Sequence, residues 1–273
     1  MDRFQNQLPD LNKLSILVAT ILLAYSLAQF VSIPTQVVEF SILGILFPIH
    51  LNFSTLVSLL VAGLTASGSA WMLESHPASK PYESTAVHWL LPSLTSLVLF
   101  QAIDQLPLGQ IWWLAAGVSG LVLTLVLVSE YIVLDSTNQL FMLAEMVITA
   151  IAIVLFLILA ISLHTAETRL FARIPLLSFA ALLVYLRVIH LRQNGYWAFV
   201  QGSASFLLIG EIAAGLHYWP VGSIGFGIAL TGPLYALIEI SDRLPPAGSK
   251  IGRKELIWPL VIILLSWISA IFI

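Results

Sequence analysis

The sequence predicts an all-α fold, a polytopic helical bundle in a membrane, and three observations carry that prediction. Nine stretches, most of about 18 to 24 residues and nearly free of charge, are each long enough to cross a hydrocarbon layer about 30 Å thick. Hydrophobic residues make up 59% of the chain and charged residues 9%, with a mean hydropathy of +0.98, which leaves almost nothing for a soluble domain. A spanning segment must also satisfy its backbone internally. Continuous apolar runs of this length exclude the alternating, shorter strands of an outer-membrane barrel. The whole of 1–273 is therefore expected to be one transmembrane domain.

The first crossing, 12–32, follows Arg3 and Lys13 and has the look of a signal peptide. Its apolar run of about nineteen residues from Leu14 exceeds a signal-peptide core, and no small-x-small cleavage site follows near Gln29 to Ser32, so an uncleaved anchor is expected. Residues 34–50 are apolar but short, carry Glu39 and are interrupted by Gly44 and Pro48; they read as an interfacial or re-entrant segment. The second crossing, 53–73, repeats Ala62, Ala66 and Ala70 beside Gly63 and Ser67, a face on which another helix can approach closely. The third to seventh crossings are placed at 88–106, 110–131, 140–163, 171–190 and 196–217. The eighth, 219–240, contains Gly222, Gly225, Gly227 and Gly232 followed by Pro233, which lacks an amide hydrogen and predicts a kink near Ile228 to Leu230. The glycines read as close packing in preference to a substrate-lining broken helix. The ninth crossing is 255–273. Trp89, Trp112, Trp113, Trp197, Trp219 and Trp258 fall at crossing ends, where interfacial anchors belong.

Lys and Arg accumulate on the cytoplasmic side of short loops. With nine crossings and a cytoplasmic N-terminus, Arg3, Lys13, Lys80, Arg187, Arg192, Arg243, Lys250, Arg253 and Lys254 face inward, and only Arg169 and Arg173 face outward. A tenth crossing at 34–50 would give four inside and seven outside with the N-terminus still inside, so it must either break the rule or reverse the protein; nine are preferred, with the C-terminus on the opposite side from the N-terminus. The longest loops, 74–87 and 241–254, are polar, punctuated by Pro and Gly, and too short to fold alone. No internal repeat divides the crossings into matching halves.

Composition also excludes. The absence of cysteine removes disulfides, thiolate metal sites and a cysteine nucleophile. The net charge of −3 points to no polyanionic partner, and nucleic acid is not expected. The six histidines lie in loops or near helix ends and none pairs with another four residues away, so neither a metal nor any other cofactor is expected.

Ionisable groups inside the crossings are the anomalies, because each costs about 2.5 to 3.5 kcal/mol at a helix centre on insertion scales. An outer polar set comprises Glu211, Asp104, Gln101, Gln29 and Tyr25, with His164 and His217 nearer the surface. Glu211 shares a helical face with Ala204, Ala214 and Gly215 and is expected to point into the bundle, hydrogen-bonded to Gln101, Gln29 or a carbonyl, or else coupled to solute movement. An inner set comprises Glu130 and Tyr131, Glu145, Arg187, His190, Gln201, Tyr235 and Glu239. A Glu145 to Arg187 bridge is one candidate pairing, although Arg187 is near enough to the helix end to snorkel; Glu239 and Arg243, four apart, are a local one.

No motif names a chemistry: there is no paired-aspartate pattern, no HExxH and no nucleophile elbow. Three classes of function remain. A small-solute transporter would use intramembrane carboxylates as coupling or gating groups. A lipid-headgroup enzyme would use the inner set. A structural or assembly subunit would bind other membrane proteins through its small-residue faces. Membrane lipids are partners in every case, and transport is the preferred expectation because intramembrane carboxylates are functional by default.

Overall fold

In the computed structural model the described residues are 8–31, 36–42, 45–51, 53–74, 76, 86–166, 169–193, 195–243 and 253–273. Among the described residues there are nine helices, and the fold is all-α in class: α1 (Leu11–Phe30), α2 (Phe53–Leu73), α3 (Ala86–Asp104), α4 (Gln110–Val133), α5 (Phe141–Thr165), α6 (Leu170–Arg192), α7 (Phe199–His217), α8 (Ser223–Asp242) and α9 (Arg253–Phe272). Each coincides with one expected crossing. Seven of them, all but α3 and α9, are long and apolar enough to span a membrane; α9 contributes a shorter apolar stretch, Leu256–Phe272. The chain is a multi-pass, membrane-type helical protein.

The segment expected to be interfacial or re-entrant is extended where it is described. Strands β1 (Gln36–Ile42) and β2 (Ile45–Leu51) pair antiparallel, Gln36 opposite Leu51 and Ile42 opposite Ile45. The sequence favours this locally: Val37, Val38, Phe40, Ile42 and Ile45 are β-branched or aromatic, and Pro48 removes the amide a helix would use. Each strand is shorter than the about 9 to 11 residues of a crossing strand. Gly44, Arg3, Ser32, Lys80 and Lys250, and most of the two long loops, lie outside the described residues.

Contacts divide the chain into two compact units, Met1–Val147 and Ile148–Ile273. In the first, α1 buries Leu14, Leu17, Ile21 and Tyr25, spaced by three or four residues as one helix face requires. Asp10 caps this helix, accepting from the Asn12 amide at 2.9 Å. The α2 face differs from the expected one. Ser58, Val61, Thr65, Ser69 and Met72 are buried, whereas Gly63 and Ser67 are exposed. The hydroxyls can be buried because they bond back along the helix, Thr65 to the Val61 carbonyl and Ser69 to that of Thr65, both at 2.7 Å. Close approach occurs instead at Gly68, where a β-carbon would collide with Leu17 of α1. Trp112 is also a correction: at 1% exposure it belongs to the core of this unit, unlike Trp113, Trp219 and Trp258, which are exposed.

The second unit is organised around α8, which packs against α6, α7 and α9. Its glycines serve that packing. A β-carbon at Gly225 would lie 2.6 Å from the Ala270 carbonyl oxygen of α9, and one at Gly227 would lie 2.7 Å from Ile161 of α5. At Gly232 it would overlap Ser266. The turn from α6 to α7 uses Gly195 at φ 91°, whose amide donates to the His190 carbonyl at 2.9 Å and closes the helix end.

Pro233 leaves the carbonyl four residues earlier, that of Ala229, without its helical donor. Trp267 of α9 supplies one, its indole Nε1 donating to the Ala229 oxygen at 3.2 Å. Replacing Trp267 by Phe is expected to cost about 1 to 3 kcal/mol, the penalty for an unsatisfied buried acceptor. In a Pro233→Ala background, where residue 233 regains an amide hydrogen, the same change costs less. Thermal melts of the four proteins of this cycle in detergent measure the difference, and additive losses would contradict the pairing.

Candidate functional site

Three helices of the first unit bring together most of the outer polar set. Tyr25 and Gln29 are four apart on α1, Ser54 and Ser58 four apart on α2, and Gln101 and Asp104 three apart on α3, so each pair shares a face. Tyr25, 1% exposed, donates to the Ser96 carbonyl at 2.5 Å. Asp104 accepts from Gln29 Nε2 at 3.3 Å and from Ser54 Oγ at 2.5 Å, and Gln101 donates to Ser58 Oγ at 3.4 Å. Serines are partners of Tyr25, Asp104 and Gln101, and Gln29 and Asp104 also pair with each other. Glu211 is not among them. It belongs to the second unit and lies on the exposed face of α7 with Val200, Ala204, Leu207, Gly215 and Tyr218, so its expected inward orientation is corrected. The reason is visible in the spacing: Gly202, Ser205, Ile209 and Ala213 form the opposite, buried stripe, and Gly202 and Gly210 let α6 approach there.

The inner set also divides between the units. In the first, the Glu130 carboxylate, 1% exposed, lies 2.8 Å from His88 Nδ1, and Tyr131 packs edge-on against His76 with centroids 4.4 Å apart. Glu145 is half-buried on α5 in this unit, whereas Arg187 is buried on α6 in the other. In the second unit Glu239 is a hub. It accepts from Tyr235 Oη at 3.1 Å and from Arg243 Nη2 at 3.0 Å, with Arg192 Nη1 at 3.8 Å; Arg192 also reaches Asp242 at 3.2 Å. The expected local pair of Glu239 and Arg243 is thus one of three contacts that Glu239 makes. His190 lies against Trp197 with ring centroids 4.3 Å apart, and Gln201 is half-buried.

The most concentrated cationic arrangement lies at the opposite end of the second unit, where α5 ends, α6 begins and α7 ends. Short connections from Thr165 to Leu170 and from His217 to Ser223 bring these ends together. Arg173, only 4% exposed, places Nη1 3.3 Å from His164 Nδ1 and 3.3 Å from His217 Nδ1. A guanidinium has no acceptor, so both Nδ1 atoms accept and both rings carry their proton on Nε2. The His164 ring stacks on Phe226 at 4.4 Å, which fixes its plane. Beside them opens a cavity of about 590 Å³ lined by His164, Thr165, Arg169, Leu170, Arg173, His217 and Ser223. Two guanidinium groups, two imidazoles and two hydroxyls converge there, and no carboxylate is among the described lining residues. Such a set suits an anion: arginine forks match carboxylate and phosphate oxygens two at a time. Among the described residues no cluster of His, Asp and Glu suits a metal.

This site was not assembled at the sequence level, yet a signal existed. Arg169 and Arg173 are the two exceptions to the inward bias of Lys and Arg, and His164 and His217 fall at the same expected depth. His88 carried no comparable signal, since its partner is 42 residues away.

His76, in the connection after α2, has its pKa held below the ordinary imidazole value of 6.5, first by burial and then by neighbouring His88, against the opposing pull of Asp135. A folded value below the unfolded one means stabilisation that is complete above pH 6.5 and lost as pH falls through it. The melting temperature is therefore expected to fall between pH 7 and 5, and His76→Asn to flatten that dependence. Parallel slopes for the two proteins would contradict the assignment.

Among known proteins, a family described as Protein of unknown function (DUF5656) matches residues 33–273. No curated protein and no solved structure shows significant similarity to the chain. The match runs from just before the β-hairpin through α9 and includes every residue of the Arg173 cavity, and the chain therefore belongs to the DUF5656 family.

Proposed function

We propose that this chain is a permease for a small anionic solute, with the cavity of His164, Arg169, Arg173 and His217 as its binding site. The observation that carries the proposal is the convergence of two arginines and two imidazoles on one cavity at the end of a membrane-type bundle. A buried guanidinium is expensive in a bilayer setting and marks functional positions there. In the proposed orientation, with the N-terminus cytoplasmic, the cavity faces the outer side, where a solute would enter. Transport so conceived relies on cationic recognition and not on carboxylates as coupling groups. Asp104, Glu130 and Glu239 are engaged in hydrogen bonds, and Glu211 faces away from its unit's core.

The test is anion-dependent thermal stabilisation of the purified protein, followed by uptake into proteoliposomes, using inorganic phosphate and acetate as probes. Wild type is expected to be stabilised by at least one of them, and Arg173→Gln to weaken binding about tenfold or more, since a hydrogen bond to a charged group contributes about 1.5 to 3 kcal/mol. Equal stabilisation of the two proteins, or none of the wild type, would overturn the proposal.

A second reading, a subunit of a larger membrane assembly, is supported by Glu211 on its exposed apolar stripe, a position that a neighbouring helix with a hydrogen-bond donor would relieve. On that reading Glu211→Leu strips a bound companion from the protein in native mass spectra while Glu211→Gln retains it. Unchanged spectra for both would remove it.

A further inference from the structure

Among the described residues, Glu211 is the one exposed carboxyl in the interior of a helix. It stands twelve residues from the start of α7 and six, about 9 Å, from its end. The other exposed carboxyls, Asp10, Glu74, Asp104 and Asp242, lie where helices begin or end, within reach of an interface. No described residue of the chain hydrogen-bonds or ion-pairs with Glu211.

No rotation of α7 would hide this carboxyl, because the opposite face is committed to packing. Ile209 and Ala213, both 0% exposed, lie there with Gly202 and Ser205, and a β-carbon at Gly210 would come within 2.5 Å of Ser178 Oγ on α6. The exposed face is a straight stripe. Val200, Ala204, Leu207, Glu211, Gly215 and Tyr218 follow at intervals of four, three, four, four and three residues, the repeat of a single helix face along the length of α7. Only Glu211 and the terminal Tyr218 are polar on it. At Gly215, one turn beyond Glu211, no atom lies within 4 Å of a β-carbon built there, so the backbone is open to approach from outside.

A carboxyl in hydrocarbon needs a hydrogen-bonding group at its own depth. Two copies of one membrane protein, inserted the same way, carry identical residues at identical depths, and a two-fold axis along the membrane normal sets each against its twin. The carboxyl suits that symmetry, since a protonated one donates while the other accepts and no second residue type is required. We infer that the exposed face of α7 is the interface of a parallel homodimer, in which the Glu211 carboxyls of two copies hydrogen-bond to each other between flanking Leu207 and Gly215. This assignment rests on the assembly reading given above and names its partner as a second copy of the chain. A companion of another sequence must bring its own polar group to that depth, whereas the two-fold axis supplies one from the chain itself.

The chain has no cysteine, so a single introduced thiol reports only its own surroundings. Leu207→Cys in the full chain is oxidised in the membranes of expressing cells, with Leu264→Cys on α9 and Leu121→Cys on α4, both equally exposed to the outside, as controls. A disulfide needs α-carbons within about 7 Å, and Leu207→Cys is expected to give covalent dimer at about fivefold or more the yield of either control. Adding Glu211→Leu should bring that yield down to the control level. Adding Glu211→Gln, whose amide both donates and accepts, should retain it. Melting temperatures in detergent close to that of the single-cysteine protein confirm that both variants fold. Dimer yields alike at all three positions mean random collision and overturn the inference, as does a yield that Glu211→Leu leaves unchanged. If no covalent homodimer forms while native mass spectra show a companion of another sequence that Glu211→Leu removes, the inference fails and the assembly reading survives. With neither homodimer nor companion, α7 faces lipid and the two fall together.

Discussion

A guanidinium withdrawn from solvent among apolar helices has to be solvated by the protein itself, and that requirement sets the architecture around Arg173. Two imidazoles from two other helices turn the same nitrogen toward it, so each must be neutral and in one tautomer, and one ring is held in plane by Phe226. The same rule operates at other buried polar groups among the described residues. Tyr25 reaches a backbone carbonyl on α3, Glu130 takes His88, Glu239 collects a tyrosine and two arginines, and serine hydroxyls in the helices bond back along their own turn. Low dielectric makes each unmet group costly, and a partner contributed by another helix fixes where that helix stands.

Helix contact in the second unit is built on a complementary constraint. Apolar side chains gain nothing by leaving lipid for one another, so close van der Waals approach and interhelical hydrogen bonds hold the bundle. Gly225 and Gly232 admit the backbone and a serine of α9, and the donor withheld by Pro233 returns as an indole from the same helix. Residues that look like helix breakers in α8 are thereby its means of contact.

Much of the fold was legible in the sequence, because hydrophobic length is a strong signal and all nine helices lie where continuous apolar runs were found. For 34–50, β-branched density, not hydropathy, is what distinguishes a hairpin from another helix. Sites were harder. Gln29 and Asp104 meet while Tyr25 and Gln101 bond separately to Ser96 and Ser58, but Glu211 reads as inward on the strength of Ala204 and Gly215, which line the exposed side, while Gly202 and Gly210 one helical face away make the contact. Small residues alone do not say which face is packed. Trp112 misled similarly, since position near a helix end does not distinguish an anchor from a core residue. Arg173 was noticed only as an exception to charge bias; joining it to His164 and His217 required knowing that three helix ends converge.

The central claim, that the convergence of Arg169, Arg173, His164 and His217 is an anion site, is tested most directly by locating an anion in it. A diffraction experiment on crystals grown with selenate, read by the anomalous signal of selenium, would show where the anion sits in the full chain. The account predicts a peak within hydrogen-bonding distance of the Arg173 or Arg169 guanidinium in wild type and its loss in Arg173→Gln. A wild-type map with that cavity empty of selenium at an anion concentration that stabilises the protein would contradict it.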